Sequence, residues 1–122
     1  MDAGTHSKEA CDYPVFATAA ALAVARGEAW RGVVIDGAGI GSGMVANKIP
    51  GVRSAMAFNE ATARNAREHN NANVITLGAG YLSEEAAIKG QWYQKELRAA
   101  RESGRICAVP YDPARLVDTT WD

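Results

Sequence analysis

The residues best suited to chemistry lie in two short stretches. The first is Arg31-Gly32-Val33-Val34-Ile35-Asp36-Gly37-Ala38-Gly39-Ile40-Gly41-Ser42-Gly43-Met44-Val45-Ala46-Asn47-Lys48. A β-branched apolar run stops at an acid, four glycines follow at alternate positions, and a helix-compatible segment comes next. That order spells a strand, a tight turn and a helix start, whose free backbone N–H groups point at an anion placed above them. The developing charge of an enediolate is one such anion, and fixed N–H groups aimed at it are efficient catalysis. Asp36 stands at the mouth of the turn, where it is either a general base or a cap on the turn. The second stretch, Arg67-Glu68-His69-Asn70-Asn71-Ala72-Asn73, offers an imidazole among amides. It suits polar recognition, although a lone histidine is also an ordinary structural or surface residue.

The glycine spacing excludes two common nucleotide sites. The Gly-Lys-Ser/Thr ending of a phosphate-binding Walker loop is absent. Gly37, Gly39 and Gly41 alternate instead of following the dinucleotide pattern, and no acid ends a strand about 20 residues on. A tight turn without a ligand remains open beside the anion-binding reading.

The elements that must position these residues alternate regularly. Asp12 and Pro14 open a helix over residues 15–26 with Phe16, Ala20 and Val24 inward, and Gly27 ends it. A strand over 32–35 is short and apolar, as in a parallel sheet buried on both faces. A helix over 42–48 stops before Pro50. A strand over 54–58, a helix over 60–68 capped by Asn59, and a strand over 73–77 ending at Gly78-Ala79-Gly80 follow. Ser83 with Glu84 and Glu85 starts another helix. Gly90 breaks it, residues 91–103 are helical in composition, and Gly104 is a stop. An α/β domain over residues 1–104 is therefore expected, with a C-terminal tail over 105–122, mostly coil with a possible short strand at 106–109. Only three strands are clear, and the first would lie at an open edge, which sheets avoid. Residues preceding Met1, another chain or the tail would cover it. In such sheets ligands sit beyond the carboxyl ends of the strands.

The totals narrow the classes. The chain has 122 residues, 48% hydrophobic and 22% charged, which suits one globular domain. A net charge of −1 offers no basic surface for nucleic acid. No apolar run approaches the ~20 residues that span a bilayer, and the N-terminus does not resemble a signal peptide. Cys11 and Cys107 have no metal spacing and read as free thiols of a cytoplasmic protein.

Beyond these readings, a series of segments resembles one family. Asp12-Tyr13-Pro14-Val15-Phe16-Ala17, the stretch from Arg31 to Lys48, Pro50-Gly51-Val52-Arg53-Ser54-Ala55, Ala63-Arg64, Arg67-Glu68-His69-Asn70-Asn71-Ala72-Asn73-Val74 and Leu77-Gly78-Ala79 are similar, in order, to the ribose-5-phosphate isomerase B and galactose-6-phosphate isomerase family. The resemblance runs over about residues 3–80. It implies a Rossmann-like three-layer α/β sandwich with a parallel sheet, of five strands in the family. It implies a homodimer or homotetramer with sites at subunit interfaces. The implied activity is interconversion of aldose and ketose phosphates through a cis-enediolate, with no metal or other cofactor. By the same resemblance, His69 helps to open the sugar ring and Asn70 is a substrate-binding amide. Gly37, Gly39 and Gly41 form the enediolate loop, Ser42 is counted with them among the substrate-binding residues, and Tyr13 lies near the sugar.

Departures from the family pattern bear on the same residues. Many members have a cysteine base where this chain has Asp36, and some place a glutamate at the position of Ser42. The A subunit of galactose-6-phosphate isomerase is similar in having an aspartate, and works with a second subunit. A family hydroxyl is replaced by Ala38. The family's first strand, its following helix and a second strand are missing, since this chain starts at the segment around Asp2, Gly4 and Thr5. The C-terminal phosphate-binding arginines are also absent. Arg98, Arg101 and Arg105 are either substitutes for them or a solvated helix face. Two functions follow as expectations: a sugar-phosphate isomerase using Asp36 and His69, or a non-catalytic homologue. The latter would be a partner or scaffold subunit, working with a paralogue, or an excised domain of a larger protein.

Overall fold

The computed structural model describes residues 1–85. The helices expected beyond Ser83, the boundary at residue 104, the tail with its short strand, Cys107 and the arginines at 98, 101 and 105 lie outside these residues. The described elements alternate, in the order α1 (Tyr13–Ala25), β1 (Gly32–Asp36), α2 (Ile40–Ala46), β2 (Ser54–Ala57), α3 (Glu60–Asn70) and β3 (Val74–Gly78).

All three strands are parallel and their order is β1-β3-β2. The last strand therefore lies in the centre, with all five of its residues buried. The path from β1 to β2 steps over one strand through α2. The path from β2 back to β3 reverses direction through α3. Parallel crossovers keep one hand, so a reversal of direction moves the helix to the opposite face. The cores confirm the two faces. Ala17, Ala21, Val24 and Ala25 of α1 meet Val34, Ala46, Val52 and Val74 on one side. Ala63 of α3 meets Ala57, Ile75 and Leu77 on the other.

Alanine-rich contact brings α1 close to the sheet. Its buried face is Ala17, Ala21 and Val24, while Phe16 and Ala20 are half-buried and line a groove beside β1. The inward face expected from sequence is thus rotated by about one residue, because small side chains at 17 and 21 allow the closest approach. Asp12 occupies the N-cap position without a side-chain bond, and Gly27 leaves the helix at φ 74. At α3, Asn59 Oδ1 accepts from Thr62 N–H at 2.9 Å and Thr62 Oγ1 accepts from Asn59 N–H at 3.1 Å. This reciprocal cap satisfies two otherwise orphaned donors and contributes about 1 kcal/mol.

Strand β1 pairs only with β3 among the described residues. Its Val34 is buried under α1 and α2. Val33 and Ile35, beside Ile75 and Leu77 in register, are 40% and 56% exposed. The open edge expected from sequence is therefore present within residues 1–85. Cys11 is an exposed free thiol. No helix among the described residues is long and apolar enough to cross a membrane.

Candidate functional site

At the carboxyl end of β1 the chain turns sharply through Gly37-Ala38-Gly39 into α2. Asp36 Oδ1 accepts from Gly39 N–H and so fastens the turn from inside. Gly39 is left-handed at φ 75 and serves as the N-cap of α2. The helix consequently starts at Ile40 and ends at Ala46, two residues earlier at each end than the spacing suggests. The neighbouring strand completes the clamp. Ala79 N–H donates to the Asp36 carbonyl at 2.8 Å, and Gly80 N–H to that of Gly37 at 2.9 Å. The buried Thr76 hydroxyl donates to the Gly39 carbonyl at 2.6 Å. The N–H groups of Ala38, Ile40 and Gly41 have no acceptor among the described residues. They are the donors available to an oxygen anion.

The glycines differ in what they permit. A Cβ on Gly39 would lie 3.0 Å from Gly78 N and from the Leu77 carbonyl carbon, in a backbone conformation alanine disfavours. Gly39→Ala is expected to lower stability by about 2–4 kcal/mol, read as a shift in the urea midpoint. A Cβ on Gly37 meets nothing within 4 Å, and this glycine is not in the left-handed region. Gly37→Ala should therefore keep its urea midpoint to within about 0.5 kcal/mol. If a ligand's oxygen fills the space above residue 37, turnover falls while stability does not. Gly41 lies under the Tyr13 ring, so that any Cβ there would strike the phenol.

Tyr13, Asp36, Gly37, Ala38 and Gly41 share one groove of about 1200 Å³, which also runs along Val33 and Ile35 and past the N-terminal residues. Asp36 is half-buried and Tyr13 is 46% exposed. Ser42 is different: it is fully buried in α2, lies off this groove, and its hydroxyl has no hydrogen-bond partner among the described residues.

His69 and Asn70 are not brought to this place. They occupy the last turn of α3, at the amino end of the sheet, whereas Asp36 ends β1 at the carboxyl end and pairs with Gly78. The strand length between these ends is about 13–17 Å. His69 is exposed and shares a shallow hollow of about 410 Å³ with Glu60, Ala61, Arg64, Asn65 and Glu68 along the outer face of α3. The two candidate stretches of one chain thus lie at opposite ends of its sheet. Sequence reasoning missed Thr76 and Gly78 as loop supports. Gly78 stood visibly at a strand end, but Thr76 carries no local signal of its bond to a residue 37 positions away.

A parallel α/β sheet with helices on both faces and an acid-led glycine turn beyond the carboxyl end of β1 defines a Rossmann-like protein. The family model described as Ribose/Galactose Isomerase matches residues 1–109, and the chain belongs to this family of sugar-phosphate isomerases. It is 36% identical over 111 residues to ribose-5-phosphate isomerase B of Escherichia coli, covering 89% of this chain and 74% of that one. It is 46% identical over 78 residues to galactose-6-phosphate isomerase subunit LacB of Clostridium acetobutylicum, covering 64% of this chain and 45% of that subunit. The structure of ribose-5-phosphate isomerase B from Clostridium thermocellum is similar, with a TM-score of 0.68 and 34% identity. The match covers 83% of this chain and 78% of that one. The chain thus spans about three-quarters of the length of the first relative and under half of the second.

Proposed function

We propose that the chain is an aldose–ketose isomerase of a sugar phosphate, working through a cis-enediolate at a site completed by a second copy or a paralogous subunit. The observation that carries this reading is the intact loop: an acid at its mouth, free N–H groups beyond it, and a tyrosine in the same groove. In the forward direction the Asp36 carboxylate takes the proton from C2 of the open aldose. The charge that collects on O1 is met by the N–H groups of the loop. Return of the proton from Asp36 to C1, with transfer of the O2 proton to O1, yields the ketose without net gain or loss of electrons. Tyr13 lines the sugar's place. His69 and Asn70 of a second copy supply ring opening and a hydroxyl contact. Ser42 supports the loop from beneath. Sugar phosphates are cytoplasmic metabolites, and the reading places the chain there as an oligomer.

A second reading has its own support. Asp36 Oδ1 already serves the Gly39 N–H, so the acid has a structural reason to be there. On that reading the chain is a catalytically impaired homologue, a partner subunit or a domain of a larger protein. Incubation with ribose 5-phosphate and galactose 6-phosphate in D2O separates the two. Isomerisation washes deuterium into C2 of the recovered aldose. No exchange with any pentose or hexose phosphate, alone or with a paralogous subunit present, would overturn the isomerase.

A further inference from the structure

His69 and Asn70 are exposed, and among the described residues little holds their side chains; Asn70 Nδ2 reaches Asn65 Oδ1 at 3.4 Å. The chain immediately after them is fastened far more firmly. Asn71 leaves α3 in the left-handed conformation, φ 46. Its Oδ1 accepts from Arg67 Nη1 at 2.7 Å, and the same nitrogen donates to the Ala72 carbonyl at 2.8 Å. The Asn71 carbonyl accepts from Arg53 Nε at 2.8 Å. The Asn73 side chain accepts from Arg53 N–H at 2.7 Å and donates to the Gly51 carbonyl at 2.9 Å. Arg67, Asn71 and Asn73 are 4%, 7% and 1% exposed.

Termination of α3 does not call for this arrangement. A glycine in the left-handed position closes a helix with backbone bonds alone, and a buried guanidinium carries a desolvation cost that an aliphatic residue would avoid. What the fork of Arg67 adds is direction. It ties the side chain of one residue and the carbonyl of the next to a single nitrogen, on either side of the peptide that links them. That peptide begins one residue after Asn70 and two after His69. We infer that Arg67 is a positioning residue: through Asn71 and Ala72 it fixes the orientation of the His69–Asn70 turn that the isomerase site uses. This rests on the proposed function for its consequence, although the orientation itself is measurable without turnover.

The test uses the full chain, which has two histidines, so that two imidazole signals appear in a ring-selective NMR spectrum; His6→Ala assigns them. Asn71→Gly keeps the left-handed backbone at no steric cost and removes the acceptor of Arg67. Its His69 signal is expected to move or broaden while that of His6 stays, and kcat on ribose 5-phosphate to fall about tenfold with KM changed less than about twofold. Asn71→Asp restores an acceptor and is expected to recover the His69 signal and most of the lost kcat. Arg67→Met, which keeps a long unbranched stem and has no N–H to donate, should behave as Asn71→Gly does. An unchanged His69 signal and kcat in both Asn71→Gly and Arg67→Met would overturn the inference, as would failure of Asn71→Asp to recover what Asn71→Gly loses. A wild-type chain that turns over no sugar phosphate, alone or with a paralogous subunit, with His69 still displaced in Asn71→Gly, refutes the isomerase and supports the positioning role.

Discussion

Asp36→Asn is expected to leave the fold intact and to lower isomerisation about 10²–10⁴-fold, the usual worth of a general base. The substitution suits the question because of the bond that Asp36 makes. An amide oxygen still accepts the Gly39 N–H, so the turn and the N-cap of α2 remain held. The amide cannot take a proton from carbon. Asp36→Ala removes both roles, and should show a lower urea midpoint in addition to lost turnover. Comparing the two variants by steady-state kinetics and urea unfolding therefore separates base from cap. Activity of Asp36→Asn within a few-fold of wild type would assign the carboxylate to the turn alone, and the second reading would stand.

The other large effect concerns assembly. Asp36→Asn and His69→Ala should each be nearly inactive, yet mixing them after dissociation should restore about a quarter of wild-type activity. Random pairing makes half of the dimers mixed, and each mixed dimer holds one intact site of two if the sites are shared across a two-fold axis. The reason is positional. Asp36 ends β1 and His69 ends α3, at opposite ends of a sheet whose β3 pairs with β1 along its whole length. No side-chain rotation spans about 13–17 Å. Activity measured after co-refolding, with association followed by light scattering, checks this. Mixed dimers without recovered activity would exclude a shared site.

Much of the architecture was legible in the chain. β-branched runs beside glycines mark β1 and β3, a short run at 54–58 before the Asn59 cap marks β2, and their alternation with helical segments calls for a parallel sheet. Asn59 announces α3 because a cap is a local interaction, made three residues along the chain with Thr62. Gly27 marks the end of α1 for an equally local reason, its positive φ. The strand–turn–helix around Asp36 is visible because alternating glycines are needed where backbone must pass close to backbone, as Gly39 does to Gly78. The ordered set of segments from Asp12 to Ala79 also carried the family, and the match over residues 1–109 bears it out.

Other features follow from pairing between distant residues, which local spacing does not encode. That β3 is central, and not the last strand at an edge, depends on which edges meet. Once it does, the hand of the crossovers sends α2 and α3 to opposite faces. The start of α2 at Ile40, and not at Ser42, follows from Asp36 and Thr76 holding Gly39 from two sides. The burial of Ser42 follows from that start. The separation of Asp36 from His69 is the largest such consequence. In sequence both stand in a conspicuous motif; in the fold two helices and one strand run between them, an odd number of crossings that leaves His69 at the opposite end of the sheet. By itself, then, the sequence determined the elements, the turn and the family, because caps, glycines and apolar periods act over a few residues. Only the tertiary structure decided that Asp36 and His69 of one chain lie at opposite ends of the sheet, because the ends of a sheet are assigned by strand order and chain direction.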